Sequence, residues 1–171
     1  MSTTVSLGRR TRQATLVVHI LSAGAWIGID VIVAVLVLTG WFADDPDTRG
    51  IAYQALGRFV VWPMLVSGLV CLVTGLLLGL ATKWGLVRYW WMLVKLVLNL
   101  LLCTLIVVAL SPGMPEVREY GASLMATGTP EGDVSQLFFP PAVSLTLLSF
   151  ATVLAVFKPW GRVRRRATDR T

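Results

Sequence analysis

The chain is 171 residues long, 56% hydrophobic and only 14% charged, with a net charge of +6 and a mean hydropathy of +0.74. A soluble domain carries about a quarter charged residues, and one of this length cannot hide so much apolar surface in a single core. Disorder is excluded by the same composition, and no Gly-X-Y, heptad or longer repeat points to a fibre or solenoid.

Lipid is therefore the expected solvent, and the expected fold is all-α: a four-helix transmembrane bundle forming one membrane domain over 1–171. A crossing takes roughly 20 helical residues, and four stretches supply them. The first span is placed at 14–41, interrupted only by His19 and Asp30. Arg9, Arg10 and Arg12 followed by Ala23-Gly24-Ala25 resemble a signal peptide with its cleavage site. The apolar run continues through Leu38, however, so a retained span is expected. The 42–57 connection, with Asp44-Asp45-Pro46-Asp47, reads as a short turn with a small amphipathic helix at 48–57. The second span, 59–82, has no charge between Arg58 and Lys83, and the third, 89–110, carries Lys95. The 111–137 segment reads as a loop whose middle, Glu116–Ala126, forms a surface helix, with no folded extramembrane unit. The fourth span, 138–158, opens on Pro140 and Pro141, tolerable in a first turn whose N–H groups lack partners anyway. Continuous apolar runs favour helices, because barrel strands would alternate polar and apolar residues.

Basic residues set the orientation. The N-terminal segment, the 82–88 connection (Lys83, Arg88) and the 159–171 tail with its boundary Lys158 hold eleven of the fifteen lysines and arginines. The other two connections are acidic. An even number of spans places these three basic segments on one side, so both termini are expected in the cytoplasm and the protein in the cytoplasmic membrane. Trp41 and Trp62 mark one interface, and Trp84, Trp90, Trp91 and Trp160 the other. The tail run Arg162–Arg166 fits contact with anionic lipid headgroups rather than nucleic acid, since no aromatic stacking platform accompanies it.

Ser22, Ala23, Gly24, Ala25 and Gly28 on the first helix, and Gly75-x-x-x-Gly79 on the second, mark surfaces where backbones approach closely. Either packing within the bundle or a homodimer seam would use them. Cys71 and Cys103 sit at mid-membrane without metal-ligand or Cys-x-x-Cys spacing and read as apolar fillers.

An ionisable group at membrane depth costs roughly 2.5–3.5 kcal/mol and normally faces the bundle interior. His19, Trp26 and Asp30 fall on one helical stripe, and Lys95 and Asn99 on another. The two stripes are expected to face each other, with His19 and Lys95 at similar depth. Asp30 lies about 13 Å from Lys95 in depth, so its expected partner is Asn99, Ser67, water or its own proton. These residues form a candidate polar track in the order Lys95, His19, Asn99, Asp30. Lys95 snorkelling to the headgroups and hydrogen-bonded packing roles for Asp30 and His19 are the plainer readings.

His19-x6-Trp26-x-Gly28, Trp90-Trp91-x-x-x-Lys95-x-x-x-Asn99 and Lys158-Pro159-Trp160-Gly161-Arg162 resemble an actinobacterial integral-membrane family of unknown function. That family is similar to the copper-resistance D-like membrane proteins and, more distantly, to the bacterial haem-dependent protoporphyrinogen oxidases. The resemblance implies His19 as an axial ligand to haem b or a ligand to copper, with Lys95 partnering a propionate or substrate carboxylate. His19 is the single histidine, so a second ligand would come from Met64, Met92 or another subunit. Three functions stay open: an accessory or small-ligand-binding bundle without catalysis, a haem- or copper-binding redox protein, and proton or ion translocation along Lys95, Asn99 and Asp30.

Overall fold

The computed structural model describes residues 8–81, 89–129 and 132–157. The described residues are helical or in short connections, in the order α1 (Arg9–Phe42), α2 (Pro46–Phe59), α3 (Val61–Leu80), α4 (Trp90–Leu105), a π-helical turn (Ile106–Leu110), α5 (Ser111–Thr127), a 3-10 turn (Ser135–Phe138) and α6 (Phe139–Phe157). Four of these segments are long and apolar enough to cross a membrane: Arg9–Phe42, Val61–Leu80, Trp90–Thr127 and Ser135–Phe157. Lys83, Trp84, Arg88, Glu131, Lys158, Trp160 and the 159–171 tail lie outside the described residues.

The spans form a ring in which α1 neighbours α3, α3 neighbours α4, α4 neighbours α6, and α6 returns to α1. Trp26, Val33 and Val37 of α1 turn inward with Met64 and Cys71 of α3, Leu102 and Cys103 of α4, and Leu148 of α6. Val17, Leu21, Ile32 and Val35 face outward, where only an apolar solvent would suit them. At about 1.5 Å per residue, the 34 residues of α1 make a rod of about 51 Å. The hydrocarbon core is only about 30 Å thick, so α1 projects beyond it.

On the end near Phe42, the two acidic connections do more than the sequence suggested. The first is a longer helix than 48–57, starting at Pro46 because the Asp45 carboxylate caps it, accepting from the Thr48 N–H at 2.9 Å and the Thr48 hydroxyl at 2.7 Å. Those two bonds hold the Asp45 carboxyl below its usual range. The second is helical from Ser111 rather than only over Glu116–Ala126. The π turn carries the chain straight from α4 into α5, the Ser111 N–H donating back to the Ile106 carbonyl. Pro112 then sits in the first turn of α5, where a missing N–H is cheap. Gly128, at φ +71°, ends α5 with its N–H on the Leu124 carbonyl at 2.9 Å.

The second correction concerns packing: α2 and α5 lie antiparallel and form a two-helix cap rather than separate loops. Gly50 of α2 meets Gly121 of α5, and Gly57 meets Met114, so the backbones touch at both ends of the contact. Tyr53 joins this cap to α1. Its ring lies against Gly40 of α1 and edge-on to Tyr120 of α5, with centroids 5.1 Å apart. Arg49 adds a bond from Nε to the Gly40 carbonyl at 2.9 Å. Burial first, then the neighbouring Tyr120, pushes the Tyr53 hydroxyl up to about 12 from its usual 10, against a smaller opposing pull from Arg49. The folded cap thus prefers the neutral phenol. The stability this contributes is intact below pH 10 and is lost as pH rises from 10 through about 12. Alkaline titration of the wild type should therefore show a loss of α2–α5 structure in that window, and Tyr53→Phe should remove this step.

The small residues of α1 divide differently from the sequence expectation. Gly24 and Gly28 have nothing near the place a side chain would occupy and face outward, whereas Gly75 of α3 receives the His19 ring.

Candidate functional site

The helical stripe His19, Trp26, Asp30 does turn into the bundle, but its members belong to two separate polar groups. His19, half-buried, lies toward α3, with Nδ1 at 3.1 Å from the Cys71 carbonyl and 3.0 Å from Thr74 Oγ1. The Thr74 hydroxyl gives its proton to the Val70 carbonyl at 2.6 Å, so it and the Cys71 carbonyl present acceptors to Nδ1, with Cys71 Sγ farther off at 3.7 Å. These acceptors favour the tautomer with the proton on Nδ1, which leaves Nε2 with the lone pair. Ser22 closes the group by donating to the His19 carbonyl at 3.0 Å. The Lys95 ammonium is within electrostatic reach of His19 and Cys71.

The indole of Trp26, fully buried, stands between this group and the next. Its outer ring edge rests on Gly68 of α3, with Cys103 of α4 beside it. Asn99 sits at this level, where its Oδ1 accepts from Cys103 Sγ at 3.6 Å. The continuous sequence track from Lys95 to Asp30 is thus interrupted by a large apolar ring.

Asp30, on the far side of that ring, is also fully buried. Its side-chain partner is neither Asn99 nor Ser67: Ser144 of α6 donates to Oδ2 at 2.6 Å, while Ser67 is occupied with the Pro63 carbonyl of its own helix. The other carboxylate oxygen, Oδ1, is buried without a hydrogen-bond partner, as is Trp26 Nε1. Leaving a carboxylate oxygen unpaired at this depth costs free energy unless something else meets it.

Asp30 and Ser144 form one end of a cavity of about 850 Å3 that runs between the α4–α5 rod and the start of α6 toward the cap. Met64, Leu102, Ile106 and Val117 give it apolar walls; Tyr120 and Phe139 add aromatic ones. Glu116, Glu119 and Asp133 line its outer part. The Asp133 carboxyl is held below its usual range by the Ser135 N–H at 2.8 Å and then by the Ser135 hydroxyl at 3.0 Å, so it is ionised at neutral pH. Apart from the Tyr120 phenol, every ionisable side chain among the described residues of the lining is a carboxyl. Ser144 had no signal in the sequence beyond being a serine in the fourth span. The cavity had none either, because its walls come from segments far apart in the chain.

His19 fits one coordination role: its Nδ1–H is anchored on a carbonyl, the arrangement that orients a ligating imidazole through its other nitrogen. No group of three or more His, Cys, Asp or Glu that could hold a metal ion is found among the described residues. The cavity lining does not include His19.

No protein-family model matches this chain, and neither a curated protein nor a solved structure matches it.

Proposed function

We propose that this is a multi-pass protein of the cytoplasmic membrane, with both termini cytoplasmic, that holds a small amphipathic molecule in the cavity ending at Asp30. The observation supporting this reading is the buried Asp30 carboxylate with one oxygen unpaired at the end of an apolar cavity. Its volume of about 850 Å3 lies in the range of small-molecule sites, which combine apolar walls with a few fixed polar groups. Among the described residues the lining holds one hydroxyl–carboxylate contact, Ser144 on Asp30, and the role assigned to the cavity is binding. The resemblance to the actinobacterial family agrees with a small membrane bundle and adds nothing about a ligand in this cavity.

Thermal unfolding in a mild detergent, against a set of amphipathic molecules spanning anionic, neutral and cationic heads, tests this. At a hundredfold excess over Kd a ligand stabilises by about 2.7 kcal/mol. At least one class should therefore raise Tm saturably. Ala109→Trp, which fills the cavity from α4's π turn, should abolish that rise. No shift with any class, or an undiminished shift in Ala109→Trp, would rule the reading out.

A second reading has one observation behind it. With Nδ1–H held by Cys71 and Thr74, Nε2 of His19 can serve a haem iron, and Lys95 can neutralise a propionate. A Soret band in the purified protein that disappears in His19→Ala would support it, and a colourless protein after haem supplementation would end it.

A further inference from the structure

Resting on the cavity reading above, we propose that the ligand class is a monovalent organic cation: an ammonium or similar cationic head on an apolar or aromatic body. Three independent features converge on this chemistry. Asp30 offers an unpaired carboxylate oxygen at the inner end, in a fully buried position, and a buried anion is tolerated when a cation meets it. The remaining ionisable carboxyls of the lining, Glu116, Glu119 and Asp133, all carry the same sign and stand at the outer part. A passage lined by one sign of charge between low-dielectric walls concentrates counter-ions of the other sign. The walls between these two ends are apolar, with Tyr120 and Phe139 supplying aromatic surface of the kind that attracts cationic heads.

The same features select against other occupants. A fatty acid or other anion would bring a second negative charge past three carboxylates to a fourth. A zwitterionic phospholipid would leave its phosphate among Glu116, Glu119 and Asp133. An inorganic cation would find one carboxylate and one hydroxyl at the inner end, too few oxygens to replace its hydration shell. Ser144, already donating to Oδ2, leaves Oδ1 without a partner and with almost no accessible surface, so an incoming head must displace the packing over it to reach this oxygen.

The test is equilibrium dialysis of the full chain in a nonionic detergent against three probes with one aromatic body and different heads. Phenylbutylammonium is the cation, phenylbutyrate the anion and phenylbutanol the neutral compound, each corrected for partition into protein-free micelles. Phenylbutylammonium should bind saturably, one per chain, about thirty-fold or more tighter than either of the others, the range expected for a buried charge pair. Asp30→Asn should remove that preference. Ser144→Ala should keep it, because the carboxylate stays. The double variant Glu116→Gln/Glu119→Gln should weaken binding several-fold and flatten its salt dependence, as rim charges do. If Asp30→Asn does not fold, the preference for cation over anion in the wild type decides by itself. Equal binding of all three probes, lost in Ala109→Trp, would leave the cavity as a binding site and overturn the cation assignment. Saturable binding of none of them would overturn both.

Discussion

Gly68→Leu is expected to destabilise the bundle by about 1–3 kcal/mol, the cost of forcing extra carbons into a packed interior. A Cβ at this position would lie 2.9 Å from Cη2 and Cζ3 of Trp26 and 2.9 Å from Cys103 Sγ. The indole is fully buried, so it moves only by displacing its neighbours. Between helices in lipid, apolar transfer adds little, and close packing supplies the association. Loss of this one contact therefore separates α1, α3 and α4 together. The control is on the same first helix: Gly24 and Gly28 have no neighbour within 4 Å, so Gly24→Ala and Gly28→Ala should be neutral or gain up to about 1 kcal/mol from helix propensity. Combining Gly68→Leu with Trp26→Leu should recover part of the loss, since the smaller ring position makes room. The non-additivity measures the coupling of the two residues. Unfolding followed by circular dichroism in detergent reads these four variants together with Trp26→Leu alone, which the coupling requires, and Gly28→Leu as the size-matched control. Equal losses in Gly68→Leu and Gly28→Leu would show that residue size alone, and not this contact, sets the stability.

That contrast also shows what the sequence could and could not reveal. The four spans were legible because lipid demands about 20 consecutive apolar residues, and the described spans α1, α3, α4 and α6 fall on those runs. The inward stripe of Trp26 and Asp30 was legible because helical periodicity places residues four apart on one face, and a carboxyl is too expensive to leave toward lipid. Gly24 and Gly28 do not serve packing within the bundle, because a small-residue motif records only that a partner could approach, whereas the ring order of the helices decides which side it faces. Ser144 could not be chosen over Ser67 for the same reason: depth arguments order residues along the membrane normal and say nothing of which helix is adjacent. The α2–α5 cap escaped because Pro112, Gly113 and Pro115 read as a loop. A π turn at Ile106–Leu110 instead delivers Pro112 to a first turn, where proline is harmless.

Gly121→Val is expected to detach α2 from α5 while leaving the four spans paired. The position differs in kind from Gly68. A Cβ there would meet the Gly50 carbonyl oxygen at 2.7 Å, Tyr53 Cβ at 3.0 Å and the Gln54 nitrogen at 3.1 Å, of which the first and last are main chain and cannot rotate away. The two helices can accept a side chain only by moving apart. Doing so strips Tyr53 of its Tyr120 partner and weakens the hold of the cap on Gly40 of α1. Amide hydrogen exchange distinguishes local from global loss. Protection in α2 and α5 should fall roughly ten- to a hundredfold, the equivalent of about 1–3 kcal/mol, with α1, α3 and α6 little changed. The cap and the cavity share α5, which brings Glu116, Val117, Glu119 and Tyr120 to the cavity lining. Ligand binding should therefore weaken in Gly121→Val although no residue of the Asp30–Ser144 pair is altered. Retained binding with lost α2–α5 protection would mean that α5 holds its place through α4 and the π turn alone, and that the cap is dispensable for the site.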